Sequence, residues 1–394
     1  MSEVSWEITS LSELGAFSRG KSKHRPRNDA KLFEGGKYPL VQTGDVKAAN
    51  LYITKNDSYY NDFGLKQSKL WPAGTLCITI AANIAETAIL SYPMCFPDSI
   101  VGFNANPEKS SELFVYYFFE YIKKEIQKSA SGSIQDNINI DYLSKMRIKV
   151  PEKKYQDKIV ELLSSIDKKI LLNNQINQEL KAMAKTLYDY WFVQFDFPDQ
   201  NGNPYKSSGG KMVYNPDLKR EIPEGWGVSK VGELQIATGK RDANFGTENG
   251  QYNFWTTANS PIKADEFSFE GKAILIAGNG NFYVNFTEGK FEAYQRTYVI
   301  QSEDENMLIF MYMACLQSVE KLRKGSNGSI IKYITIGDVY NIASPYNKKV
   351  VDEFVRIYSP LINLISKNKR QNQELIQLRD WLLPMLINGQ VRVE

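Results

Sequence analysis

The segment RGKSKHRPR at 19 to 27 gathers Arg19, Lys21, Lys23, His24, Arg25 and Arg27, and its Gly and Pro favour a loop over a helix face. Cations grouped this way neutralise phosphates and make affinity fall with salt, although an ordinary exposed loop would also carry them. A smaller group is Lys240-Arg241, and Arg323 and Lys324 precede the segment GSI at 328 to 330. Reading a base needs a side chain with both donor and acceptor, or a bidentate fork. Gln42, Thr43, Asn83, Ser133 and Gln135 qualify in the first half of the chain. Thr257, Asn259, Asn279, Asn281, Arg296, Ser329 and Lys332 qualify in the second. A turn or a helix cap explains any one of them equally well.

Other chemistry is poorly supported. His24 is the sole histidine, which removes most zinc sites and every Ser-His or Cys-His pairing. Cys77, Cys95 and Cys315 sit in apolar settings without a CxxC pair and read as buried thiols of a reducing compartment. GGKM at 209 to 212 lacks the Ser or Thr and the preceding strand of a phosphate loop, and Ala277-Gly278-Asn279-Gly280-Asn281 reads as a turn. NPY at 203 to 205 is one proline short of an adenine methyltransferase NPPY loop and has no glycine-rich cofactor loop beside a strand. Glu270-Gly271-Lys272 and Glu288-Gly289-Lys290 are acidic-x-Lys triplets of the kind a chain rich in both charges contains by chance. No active site emerges, and no metal or cofactor of the chain's own is expected.

A chain of 394 residues with 42% hydrophobic content is expected to fold into two or three domains. No apolar run approaches a membrane span and the N-terminus lacks a signal peptide's apolar core, so a cytoplasmic location is expected. A net charge of +3 is modest, so binding to DNA would need charge concentrated locally or supplied by another subunit.

The chain is written twice. SWEITSLSEL at 5 to 14 matches GWGVSKVGEL at 225 to 234, and each is followed by Gly-Lys, at Gly20-Lys21 and Gly239-Lys240. GSIQDNINI at 132 to 140 matches GSIIKYITI at 328 to 336. Pro151 and Pro345 close the strand-like segments that follow, and NQEL recurs at 177 to 180 and 372 to 375, 195 positions apart. Residues 22 to 128 and 241 to 320 align poorly, as two similar scaffolds with different surfaces would. In each half, β-prone runs (KYPLVQT and TLCITIA; AILIAG and RTYVIQ) precede a helical run, ELFVYYFFEYIKKEIQ or NMLIFMYMACLQSVEKL, with the GSI loop and one or two strands after it.

Each half ends in a long helix. Ile159, Leu162, Ile166, Lys169, Asn173, Ile176, Leu180, Met183, Leu187 and Tyr190 alternate by three and four, and Phe354, Ile357, Leu361, Leu364, Asn368, Gln371, Leu375, Leu378, Leu382 and Met385 repeat that phase. These are a and d heptad positions, the pattern of helices packed along their length. Asn173 and Asn368 are equivalent a positions near the middle, expected either to meet between antiparallel helices and set their register or to lie at the stripe's solvent edge. Pro360 is expected to kink the second helix. From Ile159 to Leu187 the first helix would span roughly 43 Å, a little over one turn of B-DNA, which suits a spacer between two recognition globules.

The segment YDYWFVQFDFPDQNGNPYKSSGGKMVYNPDLKREIPEGW at 188 to 226 and the ending LRDWLLPMLINGQV at 378 to 391 resemble the specificity subunit of type I restriction-modification systems, and the likeness covers essentially the whole chain. The resemblance implies an α+β fold: two mixed α/β target recognition domains in pseudo-two-fold tandem repeat, separated by two long antiparallel coiled-coil-like helices. The expected division is 1–150 for the first recognition domain, 151–195 for the first helix, 196–225 for a linker, 226–345 for the second recognition domain and 346–394 for the second helix. It further implies a non-catalytic subunit whose domains each read one half of a bipartite site on double-stranded DNA. Its partners would be two adenine-N6 methyltransferase subunits and two motor-nuclease restriction subunits, and S-adenosylmethionine, ATP and Mg would be held by those partners only. The helices would set the spacer and dock the methyltransferase subunits. The competing reading is a coiled-coil adaptor that binds protein alone.

Overall fold

The computed structural model describes residues 4–131, 138–328 and 332–393. It divides into a first unit of Met1–Asn174 with Lys369–Glu394 and a second unit of Gln175–Asn368, so each unit takes one part of each long helix.

In the first unit the outermost frame is β1 (Trp6–Ser10), paired antiparallel with the last strand before the long helix, Arg147–Pro151. Inside it, β2 (Gly15–Arg19), β3 (Leu76–Thr79), β4 (Thr87–Leu90) and β5 (Ile100–Ala105) form a five-stranded sheet in the order β2-β5-β3-β4 with the short strand Tyr52–Ile53 beyond β4. LCIT and TAIL are buried throughout, because the two faces of this sheet serve different cores. Leu76, Ile78 and Ile89 join the cluster against α1 (Glu112–Ser131), whereas Cys77, Ala88 and Leu90 face Trp71 and Phe96.

The second unit repeats this plan. β6 (Gly227–Lys230) pairs with Ala343–Tyr346 as the frame. β7 (Gln235–Thr238), β8 (Ala273–Ala277), β9 (Val284–Thr287) and β10 (Thr297–Gln301) form a sheet in the order β7-β10-β8-β9. The run AILIA again alternates between two cores, Ile274 and Ile276 on one side and Ala273 and Leu275 on the other. The helical run of this half is α3 (Glu305–Gly325).

The helices α1 and α3 lie on the runs that the sequence marks. Between each GSI segment and the closing strand stands a short helix, Ile140–Lys145 or Ile336–Tyr340, where the sequence suggested strand. Five or six residues are too few to show a helical period, and the caps Asn139 and Thr335 are what start these turns. The expected linker is itself folded within the second unit: Met212–Asn215 and Arg220–Pro223 make a hairpin, and the Phe197 ring stacks on Tyr205 at 4.8 Å and packs on Trp226.

The first long helix, α2, runs from Lys153 to Tyr188 and the second, α4, from Lys348 to Ile387, passing Pro360 without interruption. Within the first unit, Asp167 and Asn173 meet Arg379 and Asn372, so the two segments run antiparallel. Within the second, Asn177 meets Asn368 and the Tyr188 ring lies 5.9 Å from Phe354, again antiparallel.

The heptad register needs correction. Ile159, Ile166, Asn173, Leu180, Phe354 and Asn368 of the a stripe are buried, but the second buried stripe falls one residue after d, at Leu163, Ile170, Asn177, Ala184, Tyr358, Ile365, Asn372 and Leu386. Met183, Ile357, Leu364 and Leu378 of the expected stripe are exposed. Residues three and four apart share a helix face, and these helices also cover the domain cores, which widens the buried face beyond a two-helix seam.

Candidate nucleic-acid interface

The Gly-Lys repeat has a steric cause. A Cβ on Gly20 would stand 2.1 Å from the Pro97 carbonyl oxygen, and one on Gly239 would stand 2.1 Å from that of Tyr294. The chain is drawn this close because Gly20 and Lys21 donate to the Ile100 and Phe96 carbonyls (2.8 and 3.1 Å), just as Gly239 and Lys240 donate to Thr297 and Ala293 (2.9 and 3.0 Å). The segments 96–100 and 293–297 are thus the same seat in the two units, and each holds the start of a basic loop.

Asp98 on the first seat organises the arginines. Its carboxylate lies 2.5 Å from Arg27 Nη2 and 3.6 Å from Arg25 Nη2, and its backbone carbonyl accepts from Arg19 Nε at 2.7 Å. Arg25 also donates to the Ser22 carbonyl at 2.6 Å. Arg25 and Arg27 remain about half exposed, Lys23 is exposed and Lys21 half-buried. His24 braces the loop through Asp29 at 2.8 Å, and that bond holds the Asp29 carboxyl below its usual range.

Gln42 and Thr43 begin the short helix Thr43–Ala48, with the Gln42 backbone N–H donating to the Asp45 carboxylate at 2.8 Å and the Gln42 residue exposed. That helix meets the turn after β3, where Lys47 Nζ donates to Asn83 Oδ1 at 3.4 Å. An open groove of about 400 Å³ is lined by Arg19, Ile80, Ala81 and the segment Ile138–Asp141, placing the basic loop's start beside this turn and the segment after GSI. Ser133 and Gln135 lie outside the described residues, as does Ser329 in the second half.

In the second unit, Lys240 is exposed near the Phe269 ring, whereas Arg241 is held internally by Glu266 at 2.6 Å and the fully buried Glu292 at 3.3 Å. Five other candidates meet at the turn after β8. Gly278 donates to the Arg296 carbonyl (2.7 Å) and Gly280 to the Lys332 carbonyl (2.9 Å), Asn279 bridges to Tyr333, and Arg323 reaches the Asn281 carbonyl at 3.5 Å. Arg296, Asn281, Lys332, Arg323 and Lys324 are exposed. Thr257 and Asn259 follow the strand Tyr252–Trp255, and the neighbouring Thr256 carbonyl accepts from Thr297 at 3.3 Å.

Sequence reasoning missed Lys47, Asp98 and Gln127. Gln127 Nε2 donates to the Ile84 carbonyl at 2.9 Å, and it stands 196 positions before Arg323, the spacing of the two GSI segments, so the repeat contained that signal. Asn173 donates to Gln371 and Asn372 (both 2.8 Å), and Asn368 donates to Asn177 at 3.0 Å. Asn173 and Asn368, expected to meet each other, are buried but are each bonded instead to the Asn of an NQEL, Asn372 or Asn177, because the antiparallel register sets 173 against 372 and 177 against 368. Among the described residues, no group of three or more His, Cys, Asp and Glu could hold a metal ion, and no helix is long and apolar enough to cross a membrane.

Two stretches of the chain, residues 3–182 and 223–377, match the type I restriction modification DNA specificity domain. The chain is similar to the type I restriction enzyme MjaIX specificity subunit of Methanocaldococcus jannaschii, with 26% identity over 422 residues that cover 99% of this chain and 94% of that protein. It is 33% identical over 186 residues to the EcoDI specificity subunit of Escherichia coli, covering 44% of this chain and 40% of that one. Among solved structures, the S subunit of a type I restriction-modification system from M. genitalium shares the fold, with a TM-score of 0.59, 16% identity and coverage of 98% of this chain and 97% of that one.

Proposed function

Because this chain belongs to the type I restriction-modification DNA specificity family, we propose that each of its two units reads one half of a bipartite DNA site. It is the non-catalytic DNA-recognition component of a complex with methylase and restriction subunits. The observation that carries the half-site reading is the matched seat, 96–100 or 293–297, which in each unit holds the start of a basic loop and accepts a backbone bond from a turn that exposes an amide side chain, Asn83 or Asn281. Two copies of one scaffold hold different side chains at the same place, which is what reading two different half-sites requires.

Lys21, Lys23, Arg25, Arg27, Lys240, Arg323 and Lys324 would contact phosphate and set orientation. Arg241, tied to two carboxylates, would act by bracing its loop. Base readers would come from the exposed amides and hydroxyls of residues 1–150 and 226–345, with 151–195 and 346–394 as spacer helices and 196–225 as the folded connection. The helices would fix the number of unread base pairs between half-sites. Their exposed apolar side chains, Leu171, Leu172, Leu378 and Trp381 in the first unit and Met183, Ile357 and Leu364 in the second, suit docking of methylase subunits. Two methylase and two restriction subunits would complete the assembly in the cytoplasm, carrying S-adenosylmethionine, ATP and Mg. The protein-only adaptor is not favoured.

The test is to map N6-methyladenine in cells expressing the modification subunit with this chain and in cells expressing it alone. A bipartite methylated motif that depends on this chain is expected. No motif despite confirmed assembly would reject the reading.

A further inference from the structure

The turn Ile80–Ala85 in the first unit and the turn Gly278–Phe282 in the second are the same feature. Each is closed by a backbone bond between its flanking residues, Thr79 to Glu86 and Ala277 to Tyr283, both 2.9 Å. In each the first turn residue donates to the seat, Ile80 to Ser99 at 3.0 Å and Gly278 to Arg296 at 2.7 Å. In each a carbonyl is held by the last turns of the helix that leads into the GSI segment, through Gln127 or Arg323. Counting from the bond to the seat, Asn83 and Asn281 are each the fourth residue of the turn, exposed and immediately after a left-handed residue, Ala82 (φ 47°) or Gly280 (φ 74°); the carbonyl held by the helix is that of Ile84 in the first turn, which is one residue longer, and that of Asn281 itself in the second.

The backbone here is unusual for its residue types. Ala82, Asn83 and Ala85 all have positive φ, a conformation disfavoured for alanine and persisting only where surrounding bonds impose it. The Thr79 hydroxyl donates to the Asn83 carbonyl and accepts from Glu86 N at 2.9 Å, which supplies that constraint. In the second unit the buried Phe282 (φ 52°) anchors the turn from below. Both devices aim one asparagine outward from a rigid base.

The amides are also half-occupied in complementary ways. Asn83 Oδ1 accepts from Lys47, and Asn281 Nδ2 donates to the Tyr283 hydroxyl at 3.1 Å. An amide oxygen has two lone pairs and an amide nitrogen two hydrogens, so each side chain keeps at least one donor and one acceptor. That is the pair an asparagine presents to N7 and N6 of adenine in the major groove. Resting on the half-site reading above, we infer that Asn83 and Asn281 are the matched specificity-determining residues of the two units, each reading one adenine in its own half-site.

The test uses the assembled complex with its modification subunits and selects bound duplexes from a randomised library, comparing the unmodified chain with Asn83→Gly and Asn281→Ala. Glycine suits position 83 because it tolerates the positive φ. Each variant should lose roughly five- to hundredfold of adenine preference at one position of one half-site, leaving the other half-site unchanged. Where a variant fails to assemble, Asn83→Asp or Asn281→Asp decides, since aspartate keeps the turn but lacks the donor and should exchange adenine for cytosine preference. An unchanged motif, or uniform weakening at every position, overturns the inference and leaves the half-site reading intact. No bipartite motif with the unmodified chain overturns both.

Discussion

The two units solve the same packing problem with opposite chemistry. In the first, Tyr117 on α1 donates to Asp167 at 2.6 Å, and Arg379 meets the same carboxylate at 2.8 Å. At the repeat-equivalent positions the second unit has Met313, Ile362 and Ala184, all buried in one apolar cluster. The Arg379 side chain is 27% exposed and that of Asp167 9%, so the pair is largely withdrawn from water. Burial by itself lowers the Arg379 pKa, but Asp167 and Asp380 outweigh it and the net shift is upward. Burial, with the neighbouring Asp167 charge, pushes the Tyr117 hydroxyl well above its usual range. The second unit shows that the architecture does not need these charges for stability. A buried ion pair is weak evidence of stabilisation, yet losing one partner is costly.

The largest effect should come from breaking that pair. Asp167→Ala leaves Arg379 and the Tyr117 hydroxyl without their shared acceptor and should cost about 3 kcal/mol in denaturant unfolding. Copying the second unit, with Tyr117→Met, Asp167→Ile and Arg379→Ala together, should return stability to within about 1 kcal/mol of the parent. If the triple variant is as unstable as Asp167→Ala, the comparison between the units fails.

The asparagines sharpen the contrast at a smaller scale. In the first unit Asn372 both accepts from Asn173 and donates to Asn174 at 2.9 Å, whereas in the second Asn177 accepts from Asn368 at 3.0 Å. Asn372→Leu should therefore cost about 2 kcal/mol and Asn177→Leu about 1, because each strands a buried amide. Replacing both members of a pair, Asn173 with Asn372 or Asn177 with Asn368, should recover most of the loss. Thermal melting of the four variants separates these outcomes. A single replacement that raises Tm would mean that the amides are not bonded as described.

How much of this was legible follows from which forces are local. The repeat was plain because matching motifs recur in one order, and α1 and α3 were plain because their apolar runs are long. The second buried stripe was misplaced by one residue because Asn177, Asn372 and Ala184 do not look like core, and their burial depends on partners nearly two hundred residues away. Among the candidate base readers, Asn83 and Asn281 share a position only when counted from the bonds to the seats. Pairwise alignment of the divergent middles cannot supply that equivalence, since the first turn is one residue longer. Arg241 looked as available as Lys240 because the carboxylates that hold it, Glu266 and Glu292, are distant in sequence.

The smallest effect concerns the thiols, which report on each unit separately. Cys77 and Cys95 lie in the first unit and Cys315 in the second, all buried. Burial pushes the thiols of Cys77 and Cys315 far up and that of Cys95 to about 11, so at pH 8 alkylation of the native chain requires opening. Iodoacetamide should leave all three unlabelled over minutes in the parent, as peptide mass spectrometry would show. In Asp167→Ala, labelling of Cys77 and Cys95 should accelerate first, by at most the roughly hundredfold that about 3 kcal/mol allows. Earlier labelling of Cys315 would contradict the placement of the polar contact in the first unit. Equal acceleration at all three would mean that loss of one carboxylate is felt along both continuous helices, so that the two solutions to the packing problem share a single unfolding equilibrium.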